Sequence, residues 1–511
     1  MSYQKKILLL IAVSTALRLF FASLTELGAD EVYYWTYALK LQWNYFDHPP
    51  IVAWLIRLTT GNLMFHNEIF VRLGAVLTSA ICTWLIYKLG TLINNVQTGW
   101  YAALLYTTSI YCSVTAGTNI IPDGPELVFW LASILLLIKI SRLADNDRKS
   151  DMLWCLFGLT AGLCIMSKVH GVFLWFGVLL YVLIVNRNLL KNRGIYLSAV
   201  ITLIIVSPII IWNVQNDFIT YKFHSSRVSI TGSGIYLAGF VKEVFGEIAA
   251  NNPVNVFLLI SAVILAFKGK LPVDKKETMI LLFCSLPLII TVLIIALSRE
   301  TFAYWSGPAY TTLLILPAVK LATGTKNSLQ NIPKVIKGAM IYMLVIAVLD
   351  ILLINHFPGT MSTQKYGLKT GNLDLSLDSY GWKEAGEKFD SLYKSDVVKK
   401  LMPLNAPIIA TNWDTGAAIE FNVSSKTRQE VIGMGDIFDI HEYYWTNKYK
   451  TALKDGDSAY LIVPSNTFFY RTFNKVNNHF RSFEEPLVIT QYRSGVLCRY
   501  VYVFRMRGYK K

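Results

Sequence analysis

The sequence predicts a polytopic α-helical membrane protein of about eleven spans that carries a small α/β domain at its C-terminal end. Three observations point there. Of its 511 residues, 54% are hydrophobic and 16% charged, against roughly 25% charged in an average soluble protein. The apolar residues come in blocks close to the length that crosses a hydrocarbon core, about 20 residues. After Asn355 the blocks stop: residues 356–511 hold 21 Lys+Arg and 16 Asp+Glu.

The first block, Ile7 to Leu24, follows Lys5 and Lys6. No small-residue cleavage site follows it, and Arg18 lies inside it with Glu26, Asp30 and Glu31 just beyond, so it reads as a retained span and not as a signal peptide. Further spans are expected at 70–93, 97–117, 125–141, 153–167, 171–186, 195–212, 253–267, 278–297, 304–321 and 338–355. Orientation follows from the Lys/Arg bias of the connections. With the N-terminus inside, the inner segments carry eighteen basic residues, Lys326 among them, and the longer outer loops only Lys40, Arg57, Lys168, Lys222, Arg227, Lys242 and Arg299. The formal net charge of +15 is thereby mostly a topology signal, and no nucleic-acid footprint is implied. This orientation gives a cytoplasmic N-terminus and an extracytoplasmic tail.

Two domains follow: a membrane domain over 1–355, with an outer loop at 25–69, and a soluble domain over 356–511. In the second, β-type runs at Pro407–Thr411, Ala459–Pro464, Leu487–Tyr492 and Val501–Arg505 accompany a polar helical stretch near Tyr380–Lys394. The six cysteines offer no disulfide framework, since five fall in spans and Cys498 stands alone.

Polar residues at span ends are the informative ones in a membrane protein. On the inner side the acids are Asp145, Asp147, Asp151, Asp274 and Glu277; the outer side holds Glu26, Asp30, Glu31, Asp47, Glu68, Asp123, Glu126, Asp217, Glu243, Glu247 and Glu300. An outer-face site is therefore expected. Asp30-Glu31 directly follows a span. One of these carboxylates can act as a general base toward a hydroxyl or hold a divalent ion, or the pair simply starts a helix. Asp47-His48-Pro49-Pro50 fixes an acid and an imidazole on a rigid turn. A possible metal set is Asp30, Asp47 and His48, although an Asp-His pair alone is a weak metal signal. Asp123, between Pro122 and Pro125, is either a site acid or a helix cap. Lys168 and His170, in a turn too short to be a solvated loop, suit an anionic ligand; snorkelling explains Lys168 equally well. Arg227 and Arg299 offer forks that match phosphate oxygens, or they contact lipid headgroups or pair with Glu300.

The ordered combination of Asp30-Glu31, Tyr45-Phe46-Asp47-His48-Pro49-Pro50 and Pro122-Asp123-Gly124-Pro125 resembles the C-type multi-span glycosyltransferases. Within them it is similar to glycosyltransferase family 39, with its protein O-mannosyltransferases, and to the bacterial aminoarabinose transferases that modify lipid A. The resemblance implies inverting transfer of a sugar from a polyprenyl-phosphate carrier to a lipid, glycan or protein acceptor beside membrane lipids. It implies catalytic roles for Asp30, Glu31 and Asp123, with Asp30 as base. It also implies a donor-phosphate site among His48, Lys168, His170, Arg227, Arg299 and Tyr304, and substrate contacts from Tyr33, Tyr34 and Asp47. Asp47-His48 departs from the Glu-Lys that precedes Pro-Pro in aminoarabinose transferases. A divalent metal is a possible cofactor. A reading from another class, a polyprenyl-lipid flippase or transporter, also fits many spans with intramembrane charge; transporters tend to show internal repeats, and none is found.

Overall fold

The computed structural model describes residues 2–144, 148–229, 234–324, 332–468 and 470–510; Asp145, Asp147 and Lys326 lie outside them. By internal contacts the chain divides into two units, Met1–Ala22 with Trp43–Ile346, and Ser23–Gln42 with Ala347–Lys511.

Sixteen helices lead to the tail among the described residues: α1 Tyr3–Ala22, α2 Ala29–Leu39, α3 Ile51–Thr59, α4 Glu68–Ile93, α5 Val96–Thr108, α6 Asp123–Ser141, α7 Arg148–Ser167, α8 Val172–Ile184, α9 Arg193–Gln215, α10 Ile219–Val228, α11 Leu237–Ala250, α12 Pro253–Phe267, α13 Lys275–Ala296, α14 Gly307–Leu313, α15 Ile315–Gly324 and α16 Lys334–His356. Six stretches are long and apolar enough to cross a membrane: α4, α6, Lys149–Ser167 of α7, α9, α13 and α16. A seventh is the pair α11 and α12, bent by 98° where Asn252 takes a positive φ of 69°. Each of the eleven expected stretches is helical, but two are interrupted. The 97–117 stretch breaks at Ser109 and resumes as a π-helical turn, Tyr111–Thr115, and 304–321 is split at Leu314.

The membrane unit is held by close helix packing, as expected where lipid removes the hydrophobic drive between helices. At Gly158 a Cβ would meet the Ser198 carbonyl oxygen at 2.4 Å, so α7 and α9 meet backbone to backbone, and the Thr202 hydroxyl donates to the Gly158 carbonyl at 2.9 Å. Away from the contacts, Leu203, Ile204, Ile341 and Leu344 are exposed, which suits a lipid-facing surface.

The second unit contains helices α17 Trp382–Val398 and α18 Trp413–Ile419 and the strands β1 Ile408–Ala410, β2 Val431–Gly433, β3 Ala459–Pro464, β4 Phe480–Phe483, β5 Leu487–Arg493 and β6 Val496–Tyr509. The sheet runs β2-β1-β3-β6-β4, with β5 also on β6. The β1 pairings are parallel, and β6 is antiparallel to β3, β4 and β5. Ser494 and Gly495 both take positive φ, 48° and 78°, the backbone that a two-residue hairpin between β5 and β6 requires.

Helix α2 belongs to this unit and not to the membrane unit. The Glu26 carboxylate accepts from the backbone N–H of Trp382 at 2.7 Å and of Lys383 at 3.3 Å. It thus caps α17, whose first N–H groups have no partner within the helix. Tyr33 packs on Trp413, with ring centroids 4.7 Å apart, and Trp35 on Phe421, 5.0 Å apart.

Candidate functional site

In the membrane unit, α6 begins at Asp123, so Asp123 and Glu126 occupy its first turn, where the helix dipole favours negative charge. Both are buried, at 1% and 0% exposure. The turn after α7 presents Lys168, 3% exposed. Its ammonium lies 2.8 Å from Asp123 Oδ2 and 5.0 Å from the centroid of the Tyr304 ring. The Tyr111 hydroxyl, on the π-helical turn, donates to Asp123 Oδ1 at 3.2 Å. Lys168 is therefore a paired cation, and Asp123 does more than begin a helix.

Around this pair stand further groups able to carry positive charge. His170 Nδ1 faces Glu126 Oε1 at 3.9 Å, and its ring centroid is 6.3 Å from that of Trp305. The opposite face of the cluster comes from the Asp47-His48 turn, closed by the Tyr45 N–H donating to the His48 carbonyl at 3.1 Å. His224 Nε2, on α10, donates to the Asp47 carbonyl at 2.7 Å, so the His48 and His224 rings lie 6.0 Å apart. One helical turn on, the Arg227 guanidinium sits among three rings, 5.4 Å from Phe223, 5.7 Å from Phe302 and 5.5 Å from Trp305. Such cation–π contacts orient the fork without neutralising it. Arg299 is spent differently: its Nε donates to the Ser229 carbonyl at 2.8 Å.

The electrostatics suit an anion. The imidazole of His48 is held well below the ordinary histidine range, first by burial and then by His224, Lys168, His170 and Arg227. His170 is lowered likewise by burial, Lys168 and His224. His224 is lowered by burial, which outweighs its bond to the Asp47 carbonyl, and by Arg227 and Lys168. Three imidazoles kept neutral by burial and by the cations beside them, together with Lys168 and Arg227, form a cradle complementary to an anion.

The remaining sequence candidates lie in the other unit. Glu31 is 3% exposed, and its Oε2 accepts from the Gly28 N–H at 3.0 Å, a helix-start role. Asp30, on the same turn, is exposed. Nearby Asp378 is pushed up to about 7 by burial and by Asp414, Asp30 and Asp374, with Arg499 opposing. Tyr33 and Tyr34 are 1% and 6% exposed; Tyr33 packs edge-on to His441, which itself stacks on Trp413 at 5.3 Å. These two tyrosines serve first to pack α2 on the tail. Among the described residues no group of three or more His, Cys, Asp or Glu side chains is gathered to hold a metal ion. Sequence reasoning assigned no site role to His224, Glu126, Tyr111 or Trp305. For His224 a signal existed in its spacing, three residues before Arg227 and hence on one helix face.

Residues 47–212 match the family model described as dolichyl-phosphate-mannose-protein mannosyltransferase. The chain is 25% identical over 296 residues to the lipid A galacturonosyltransferase RgtD of Rhizobium johnstonii, a match covering 57% of this chain and 60% of that protein. It is 29% identical over 135 residues to an undecaprenyl phosphate-alpha-4-amino-4-deoxy-L-arabinose arabinosyl transferase of Pectobacterium carotovorum, covering 26% of this chain and 24% of the relative. The matched segments thus span less than two thirds of either relative's length. In fold, the crystal structure of ArnT from Cupriavidus metallidurans bound to undecaprenyl phosphate aligns over 98% of both chains, with a TM-score of 0.63 at 13% identity. The loop motifs read from the sequence thus meet a family-model match over residues 47–212, and the likeness to ArnT over nearly the whole chain is one of fold.

Proposed function

We propose that the protein is a membrane glycosyltransferase that moves a sugar from a polyprenyl-phosphate donor to a hydroxyl of a cell-envelope acceptor, with inversion. The observation that carries this reading is the cradle of His48, Lys168, His170, His224 and Arg227 in the membrane unit. The sequence likeness to a lipid A galacturonosyltransferase favours a lipid A-type acceptor. A protein acceptor is the reading that the family match favours.

In this mechanism the bond between the anomeric carbon and the carrier phosphate oxygen breaks, and the acceptor oxygen bonds to the opposite face of that carbon. The carrier leaves as a phosphate monoester with one more negative charge. Arg227 offers its fork to the phosphate oxygens, and His48 and His170 add donors, which stabilises the charge that develops on the leaving group. Lys168 holds Asp123 and presents its remaining hydrogens beside Tyr304. Asp30 accepts the acceptor's hydroxyl proton, a step worth on the order of 10²–10⁴-fold. Glu31 supports Asp30 by fixing the start of α2. The eleven helical stretches are all spans, the N-terminus is cytoplasmic and the tail lies on the periplasmic side, where Asp30 meets the acceptor.

The test is incubation of the purified full chain with a panel of polyprenyl-phosphate sugars and lipid A, with products identified by mass spectrometry. Transfer from at least one donor is expected, together with its loss in Asp30→Asn while undecaprenyl phosphate binding persists. Near-normal turnover by Asp30→Asn overturns the base assignment. Absence of transfer from every donor, with accelerated lipid movement across the bilayer, favours a flippase.

A further inference from the structure

Glu126 is the buried acid that the mechanism leaves without a task. It is 0% exposed, and neither of its carboxylate oxygens has a hydrogen-bond partner, nor does Nδ1 of His170 opposite. The two side chains face each other at 3.9 Å, about 1 Å beyond a hydrogen bond. An ionised carboxylate so enclosed has no hydrogen-bond donor, and the nearby Lys168 is already paired to Asp123, so a proton on it removes that cost. The other charged or titratable groups here are already engaged or are themselves cradle members. Asp123 is bound to Lys168 and Tyr111, the Cys164 thiol donates to the Glu126 backbone carbonyl, and His224, His48 and Arg227 complete the cradle. The Asp123–Lys168 pair is internally neutral, so the charge balance of this corner rests on Glu126 and His170.

We propose that Glu126 is the proton store of the phosphate cradle: it holds one proton at rest and passes it to Nδ1 of His170 when a lipid phosphate dianion occupies the cradle. The O–H bond of the carboxyl breaks, an N–H bond forms at Nδ1, and a carboxylate–imidazolium pair replaces a neutral acid and a neutral ring. No proton enters from solution. The imidazolium faces the phosphate with a full charge, and a side-chain shift of about 1 Å closes the Glu126–His170 hydrogen bond. Glu126 is a positioning and charge-setting residue, acting through His170. The inference rests on the phosphate-site reading above and assigns a further residue to that site.

The experiment measures binding of undecaprenyl phosphate to the full chain in nanodiscs between pH 7.0 and 8.5, above the second ionisation of a phosphate monoester at about 6. Wild type is expected to bind with nearly constant affinity and, by calorimetry in two buffers of different ionisation enthalpy, without proton uptake. Glu126→Gln keeps the shape but has no proton to give, so the proton must come from solution and affinity falls about tenfold per pH unit. His170→Asn is expected to bind more weakly throughout, with no added slope. Parallel profiles for wild type and Glu126→Gln, or uptake of about one proton by wild type, overturn the proposal while leaving the phosphate reading intact. The calorimetric arm needs no variant, so it decides the matter even if Glu126→Gln fails to fold. Failure of wild type to bind undecaprenyl phosphate overturns both.

Discussion

Replacing Lys168 by Met should destabilise the membrane unit before it touches catalysis. Lys168 and Asp123 are 3% and 1% exposed and 2.8 Å apart. Removing the ammonium leaves Asp123 with the Tyr111 hydroxyl at 3.2 Å as its hydrogen-bond donor among the described residues. Breaking a buried pair from one side costs about 3–5 kcal/mol, because the remaining charge is left uncompensated. The lost contact with the Tyr304 ring adds roughly 0.5–2 kcal/mol. Asp123→Asn alone leaves the buried ammonium uncompensated and should cost a similar amount. The double variant Asp123→Asn/Lys168→Met removes both charges of the pair, so neither partner is left uncompensated. Its loss should be smaller than the sum of the single losses by at least about 2 kcal/mol. Unfolding of the full chain in bicelles, followed by tryptophan fluorescence, measures all four corners of the cycle. Additive losses, with each single variant within about 1 kcal/mol of wild type, would refute the reasoning. Donor affinity should remain low in the double variant even where stability returns, which separates the fold of the corner from its function.

Three further outcomes are expected. Arg227→Lys removes the fork and its ring contacts while keeping the charge, so KM for the donor should rise about tenfold, or about 1.4 kcal/mol, with kcat nearly unchanged; an unchanged KM argues against phosphate binding there. Asp378 is raised to about 7 from an ordinary aspartate value near 3.9, so the folded chain holds a proton that the unfolded chain releases. Its contribution therefore falls as pH rises from about 4 to about 7 and is flat above. Asp378→Asn should accordingly gain thermal stability relative to wild type at pH 8 and little at pH 4, and equal differences at both pH values would contradict the assignment. Finally, five cation-capable side chains suffice for one phosphate, so exhaustive chelation should leave undecaprenyl phosphate binding unchanged; a loss restored by a divalent ion would assign part of the phosphate charge to a metal.

The helical stretches were legible because a membrane span advertises itself over about 20 residues. Breaks inside them were not: the backbone turns extended at Ser109 and the helix is split at Leu314, and neither ends the apolar block. The stretch between α1 and α4 carries α2 and α3, and its Asp30-Glu31 signal served two readings at once, with Glu31 in the helix-start role and Asp30 exposed beside it. In the tail, Ala459–Pro464 was read with its observed bounds. The three- and four-residue strands Val431–Gly433 and Phe480–Phe483 were missed, since so short a run shows no period. Asp123, Lys168, His170, Arg227, Tyr304 and His48 do gather in one unit, whereas Arg299 is bound to a backbone carbonyl. The pairing of Glu26 with Trp382 spans 356 positions of sequence, a relation that no local pattern encodes.

The membership of Ser23–Gln42 in the second unit has a hereditary consequence. Asp30 is threaded into the tail's framework while both of its flanks belong to the other unit, so the two stretches form one module despite lying far apart in sequence. A chimera that exchanges residues 356–511 alone between relatives strands α2 on a foreign surface without Trp413, Phe421 and the α17 start that Glu26 caps. Recombination that preserves function must move two non-adjacent stretches together, and substitutions in either should be inherited in concert.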